Sequence, residues 1–244
     1  MSKLLNLSFQ MCAMRNGCIF FNLSVQKCVK SCMNTSTPVE VRMGRPRGFD
    51  EDAALEAAMR VFWEKSYEGA TMADLTEAMG INRSSMYAAF GDKESLFHRV
   101  MERYREGRMT YIRQALAQTS LREVVAGLIY GTAEFLSIRG NPRGCLLIQG
   151  ALACGTDAEP IKQAMIDWRK SGEVALKKRL QEAQSKGELS REIQPADFAR
   201  YLSSLMAGLG VQAANGATRA ELRSVVAIAL RCIETVLSPT AGKQ

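Results

Sequence analysis

Thr71-Met72-Ala73-Asp74-Leu75-Thr76-Glu77-Ala78-Met79-Gly80-Ile81-Asn82-Arg83-Ser84-Ser85-Met86-Tyr87-Ala88-Ala89-Phe90-Gly91-Asp92-Lys93-Glu94-Ser95-Leu96-Phe97 is the stretch that decides how this chain folds. Thr71 stands as an N-cap with Asp74 three positions on, a capping box written with Asp. Gly80 predicts a helix stop, Ile81-Asn82 a tight turn, and Arg83 or Ser84 the start of a second helix ending near Phe90. Gly91-Asp92 closes that helix and caps another, along which Leu96, Phe97, Val100, Met101 and Tyr104 recur at helical spacing. Helix, glycine turn and helix within about twenty residues have the size and punctuation of a helix-turn-helix. Only Met86 and Phe90, four apart, are core-type anchors in the second helix. Its remaining face offers a guanidinium, two hydroxyls, a phenol and small alanines, which can enter a major groove and donate hydrogen bonds. A solvated helix of an ordinary bundle would read the same way, so the pattern alone leaves both open.

Working outward, the reading stays helical. Upstream, Leu55, Ala58, Met59, Phe62 and Trp63 mark one face of a helix capped by Asp50, with Glu51 and Asp52 at the positive end of its dipole. Downstream, helices are expected at about Leu121 to Arg139, Cys145 to Ala153, Glu159 to Lys186, Ala196 to Ala214 and Ala220 to Leu237, separated by glycine, asparagine and proline breaks. The fold class is therefore all-α. Its 244 residues are 47 % hydrophobic and 23 % charged, which argues against wholesale disorder. No run approaches the roughly 20 apolar residues needed to cross a bilayer. A single histidine, His98, leaves histidine-based catalysis and multi-histidine metal sites without their residues. The stretch Gly150 to Gly155 imitates the glycine spacing of a phosphate loop but lacks its Lys-Ser/Thr. No enzyme activity, cofactor or metal is expected.

The net charge of +7 is unevenly placed. Residues 1–49 carry +6, residues 50–110 carry −4 and residues 111–244 carry +5. An anionic partner must then be gripped by a few placed residues, not by a basic surface. Residues 1–41 hold four of the seven cysteines, at spacings that match no paired zinc frame, and lack the unbroken apolar stretch of a signal peptide. They are expected to be a disordered or non-native extension, with Met33 and Met43 as alternative starts. An odd cysteine total without a secretion signal favours the reducing cytoplasm.

Gly44-Arg45-Pro46-Arg47, the helix ending near Gly69, and the order of motifs from Thr71 to Phe97 closely resemble the DNA-binding domain of the TetR/AcrR family of bacterial repressors. The resemblance is dense over residues 44 to about 105. It implies an N-terminal three-helix DNA-binding domain over residues 42–105, followed by a helical ligand-binding and dimerisation domain over residues 106–244. It places Thr71 on a phosphate, Arg83, Ser84 and Ser85 at positions that reach bases or phosphates, Tyr87 against backbone or a thymine methyl, and Lys93 on a phosphate. Many relatives carry bulky polar residues where this chain has Ala88 and Ala89, which shifts base readout toward Arg83. Arg45 and Arg47, with Arg42, fit an arm that follows phosphates or enters the minor groove.

In the second half, the last two helices (about 196–214 and 220–237) are too apolar around their circumference for one internal core, which predicts a homodimer built on them. Two reading heads roughly 34 Å apart would read a palindromic operator in double-stranded DNA. The resemblance also implies a small-molecule effector pocket, for which Phe135, Leu147, Met165, Trp168 and Met206 are candidate lining residues. Cys145, in Arg143-Gly144-Cys145-Leu146, looks like a motif of regulators that sense thiol-reactive signals; Arg143 and a helix N-terminus would lower its pKa. The function expected is a ligand-responsive repressor, with an activator or a helical adaptor that binds no DNA as alternatives.

Overall fold

The computed structural model describes residues 48–152, 158–235 and 237. The described residues form ten α-helices: α1 (Glu51–Gly69), α2 (Met72–Met79), α3 (Arg83–Phe90), α4 (Lys93–Arg103), α5 (Thr110–Leu116), α6 (Leu121–Leu136), α7 (Leu146–Leu152), α8 (Glu159–Ser185), α9 (Pro195–Ala214) and α10 (Arg219–Ile233). A π-helical turn, Tyr104–Arg108, joins α4 to α5. Among the described residues no strand forms; one isolated bridge pairs Leu189 with Leu237.

The caps do what the sequence predicts of them. Asp50 accepts from the Asp52 and Ala53 amides at 2.9 and 3.2 Å, and Asp92 accepts from Ser95 N–H at 2.7 Å. Thr71 and Asp74 close a reciprocal capping box, and Gly80 adopts φ 66°, the left-handed conformation that ends α2. Asn82 caps α3 by accepting from Ser85 N–H at 2.8 Å, so that helix opens at Arg83. Two further boxes, Ser120 with Glu123 and Thr218 with Glu221, start α6 and α10.

Helices α1, α5, α6 and α10 differ from the sequence expectation. Helix α5 lacks a side-chain cap and was not anticipated from its short, mixed sequence Thr110–Leu116. Helix α6 stops at Leu136 and α10 at Ile233, earlier than the apolar pattern suggested. Within α1, Ser66 takes φ 62° and ψ 177°, which breaks the helix before its last turn.

Two cores form. One gathers α1 to α4 around Phe62, Phe97, Leu75 and Met86, and continues through Tyr104 to Phe135, Cys145, Leu146, Ile161 and Met165. The other lies among α5, α6, α8, α9 and α10 around Leu121, Val125, Leu180, Leu202 and Val226. Packing therefore does not break at residue 105, because the first core runs from the helix-turn-helix onto α7 and α8. Each fully buried large side chain there contributes on the order of 1.5–3 kcal/mol of apolar burial.

Candidate nucleic-acid interface and internal cavity

The geometry of α2 and α3 follows from their short sequences. Leu75 and Met79 bury one face of α2; Met86 and Phe90 bury one face of α3. Arg99 fastens the end of α3: its Nη1 donates to the Ala89 carbonyl at 2.9 Å, and its guanidinium lies 4.6 Å from the centre of the Phe90 ring. The opposite face of α3 points to solvent, carrying Arg83, Ser84, Tyr87 and Ala88, with Tyr87 51 % exposed.

The expected contact residues differ in what they have free to give. Arg83 is exposed and makes no ion pair among the described residues. Ser84 donates its hydroxyl to Asn82 Oδ1 at 2.7 Å, while half-buried Ser85 uses its amide in the cap. Thr71 spends its hydroxyl proton on Asp74 Oδ2 at 2.8 Å, which leaves the first amides of α2 as the open donors beside it. Lys65, which the sequence reading passed over, sits at the same end and donates to Asp74 Oδ1 at 2.6 Å. That bond, with those from Thr71, holds the Asp74 carboxyl well below the usual carboxylate range. Lys93 projects over the Tyr67 ring at 4.5 Å, and partial burial lowers its ammonium pKa. Arg42, Arg45 and Arg47 lie outside the described residues.

Away from this face, α5, α6, α7, α8, α9 and the π-helical turn form a partly open cavity of about 470 Å³. Four of the expected lining residues, Phe135, Leu147, Trp168 and Met206, meet there, and Cys145 joins them. Met165 does not: it is fully buried in the core, so close to Gly150 that a Cβ there would come within 2.8 Å of its sulfur. Tyr111 and Thr132, which the sequence reading missed together with α5, complete the polar part of the wall, their hydroxyls 3.2 Å apart. Gly131 makes this possible, since a Cβ there would fall 2.5 Å from the Tyr111 ring.

Cys145 corrects one expectation. Its thiol pKa is raised, and burial is the chief cause; Tyr104 donates its hydroxyl to Sγ at 3.5 Å. The nearby cation is Arg169 and not Arg143, whose guanidinium instead lies close to Gly216. Tyr104 in turn meets Trp63 of α1 edge-on at 5.0 Å. Trp63 stacks on Phe135 at 5.8 Å and donates its indole N–H to the Gly144 carbonyl at 3.2 Å. A cavity-lining ring thus rests directly against α1, and a cavity-lining thiol reaches α1 through Tyr104. Arg60 of α1 adds a bond to the Gly140 carbonyl at 2.7 Å, and Arg108 bridges Glu56 and Asn141.

On the far side, α9 exposes Tyr201 and Val211, and α10 exposes Val225 and Ile228. The described residues contain no helix long and apolar enough to cross a membrane, and no group of three His, Cys, Asp or Glu that could hold a metal ion.

Comparison with known proteins agrees with this arrangement. Residues 54–100 match the model of bacterial regulatory proteins of the tetR family, and residues 123–229 match a tetracyclin repressor-like C-terminal domain. The HTH-type transcriptional repressor ComR of Escherichia coli K12 is 30 % identical over 196 residues, covering 79 % of this chain and 93 % of ComR. The repressor BdcR of the same organism is 27 % identical over 195 residues, covering 80 % of this chain and 94 % of BdcR. Among solved structures, a cysteine mutant of the TetR family transcriptional regulator CifR, complexed with 26-bp double-strand operator DNA, shares 38 % identity. It superposes with a TM-score of 0.73 over 77 % of this chain and 98 % of CifR.

Proposed function

The chain belongs to the TetR family of DNA-binding transcriptional regulators, and from that premise we propose that it is a cytoplasmic repressor that binds a palindromic operator as a homodimer and leaves it when an effector enters its cavity. The observation that carries the reading is the face of α3 that projects Arg83 and Tyr87 into solvent while Met86 and Phe90 anchor it from behind. That face enters the major groove, with Arg83 as the bidentate reader of guanine and Tyr87 against backbone or a thymine methyl. Ser84 and Ser85 take adjoining bases or phosphates. The start of α2 at Thr71 seats a phosphate on its amides, Lys93 takes another, and the arm with Arg45 and Arg47 follows the neighbouring groove.

Homodimerisation uses α9 and α10. Tyr201 and Val211 on one, Val225 and Ile228 on the other, are large apolar groups left in solvent by a single chain. The effector acts through the Trp63, Tyr104 and Phe135 rings, which connect the cavity wall to α1. Cys145 can add a thiol-reactive input only when its enclosure opens, because burial holds it as a neutral thiol.

The test is retention of fragments of the protein's own genome, measured against salt. The expected result is sequence-selective binding that weakens with salt. Tyr87→Ala and Arg83→Ala should each lose binding while keeping the folded circular dichroism signal. Ile228→Asp should give a monomer with weak operator affinity. Selective binding by the Ile228→Asp monomer equal to that of the parent would refute the dimer, and salt-independent retention would refute the interface.

A further inference from the structure

The arginines of the open groove beside α1 and those of the cavity wall differ in their partners. In the open groove between α1 and α4, Arg99, Arg103 and Arg108 each face a carboxylate, from Glu51, Asp52 and Glu56 respectively. The three at the cavity wall do not: Arg113 donates Nη2 to the Glu106 backbone carbonyl at 3.2 Å. Arg105 lies over the Trp168 ring, 5.1 Å from its centre, and Arg169 donates Nη1 to the Leu147 carbonyl at 2.9 Å. Neither makes an ion pair among the described residues. Of the two acids at that wall, Glu173 is taken by Arg200 at 3.2 Å, which leaves Glu106 against Arg105, Arg113 and Arg169. The wall therefore carries an excess of positive charge at one end.

The interior has the opposite character. Leu128, Phe135, Leu147 and Met206 make it apolar, and the hydroxyl protons of Thr132 and Tyr111 are used within the protein. Thr132 donates to the Leu128 carbonyl at 2.7 Å, so the 3.2 Å contact with Tyr111 must be Tyr111 donating to Thr132. The Tyr111–Thr132 part of the wall therefore offers no hydroxyl proton to a polar acceptor, and Ser203 of α9 is a neutral hydroxyl that lines the cavity elsewhere. A molecule that fits needs an apolar body for the interior and a single anionic end for the guanidinium pair.

We propose that the cavity binds an amphipathic organic monocarboxylate, its body against Phe135, Tyr111 and Met206 and its carboxylate on Arg169 and Arg105. The volume suits an acid of about 12–18 non-hydrogen atoms. This names the effector class for the switch proposed above and rests on that reading for its consequence, but not for the binding itself.

The experiment compares ω-phenylhexanoate, ω-phenylhexanol and ω-phenylhexylamine, which share one body and differ in charge. Affinity for the full chain without DNA is measured at neutral pH by calorimetry, and operator release is measured separately. The carboxylate should bind about tenfold or more tighter than the alcohol, and the amine should bind weakest. Arg169→Gln and Arg105→Gln should each reduce the ratio of carboxylate to alcohol affinity, with the circular dichroism signal reporting that each variant is folded, and an unchanged ratio in both overturns the placement of the carboxylate. Equal or tighter binding of the alcohol or the amine, or no binding of the carboxylate, overturns the proposal. Binding of the carboxylate without operator release would leave the cavity assignment standing and refute the switch alone.

Discussion

Trp63→Phe probes the connection between the helix-turn-helix and the cavity. Trp63 is 4 % exposed, so the change takes place in a closed environment. The phenyl ring keeps part of the stack on Phe135 but cannot donate to the Gly144 carbonyl, which the indole reaches at 3.2 Å. Leaving that carbonyl without its donor costs about 1–2 kcal/mol. The smaller ring also opens a void of roughly 40 Å³, worth about 1 kcal/mol at ~24 cal/mol per Å³. The sum is a destabilisation of about 2–3 kcal/mol, or a lowering of Tm by about 4–12 °C for a chain of this size. Urea and thermal unfolding, followed by circular dichroism, give the number directly. A double-mutant cycle with Phe135→Leu then isolates the pair, and a coupling of about 0.5 kcal/mol or more is expected for two stacked rings. A loss under about 0.5 kcal/mol together with zero coupling would refute the argument that α1 is held to the cavity wall by this contact.

Three other outcomes follow from single sites. Thr71→Ala removes the reciprocal cap of α2 and should cost about 1 kcal/mol in urea unfolding, whereas Thr71→Ser should retain most of it. The Asp74 carboxyl is held low, first by Lys65 and then by Thr71, so the unfolded chain binds the extra proton. Its contribution is present above about pH 4 and is lost as pH falls further; Tm measured from about pH 5 to pH 2 should fall less steeply in Asp74→Asn than in the parent. Peptide mapping after brief alkylation at about pH 8 should find exposed Cys232 modified well before buried Cys145, whose pKa is raised. Modification of Cys145 first would restore the view of it as an activated thiolate.

The helix-turn-helix was legible because its signals are local. Thr71, Asp74, Gly80, Asn82, Gly91 and Asp92 each act on backbone within a few residues, so spacing alone places α2, α3 and the start of α4. The cavity was only half legible. Phe135, Leu147, Trp168 and Met206 are large apolar groups whose type suggested lining, yet Met165 shares that type and is core. Which one faces a void depends on packing between helices far apart in sequence. Tyr111, Thr132 and the arginines Arg105 and Arg169 were missed for a related reason. Helix α5 has no cap to announce it, and the π-helical turn before it shifts the facing of everything a regular count would place. The Cys145 environment failed on proximity: Arg143 is two residues away in sequence, but its side chain is at Gly216 while Arg169 approaches the thiol.

Ser66 carries a consequence for how this family member is tuned. Its φ of 62° with ψ of 177° lies where residues other than glycine pay roughly 1–3 kcal/mol. The break it makes swings Tyr67 out of helical register, onto Phe62 and Phe97 and beneath the ammonium of Lys93. A residue with no place in the proposed interface thereby sets the height of Lys93, a cation that the proposed interface uses. On the proposed reading, operator affinity drifts through the backbone of α1 with every DNA-facing side chain unchanged. Directed evolution for tighter or looser regulators would find variants here that a survey of contact residues overlooks.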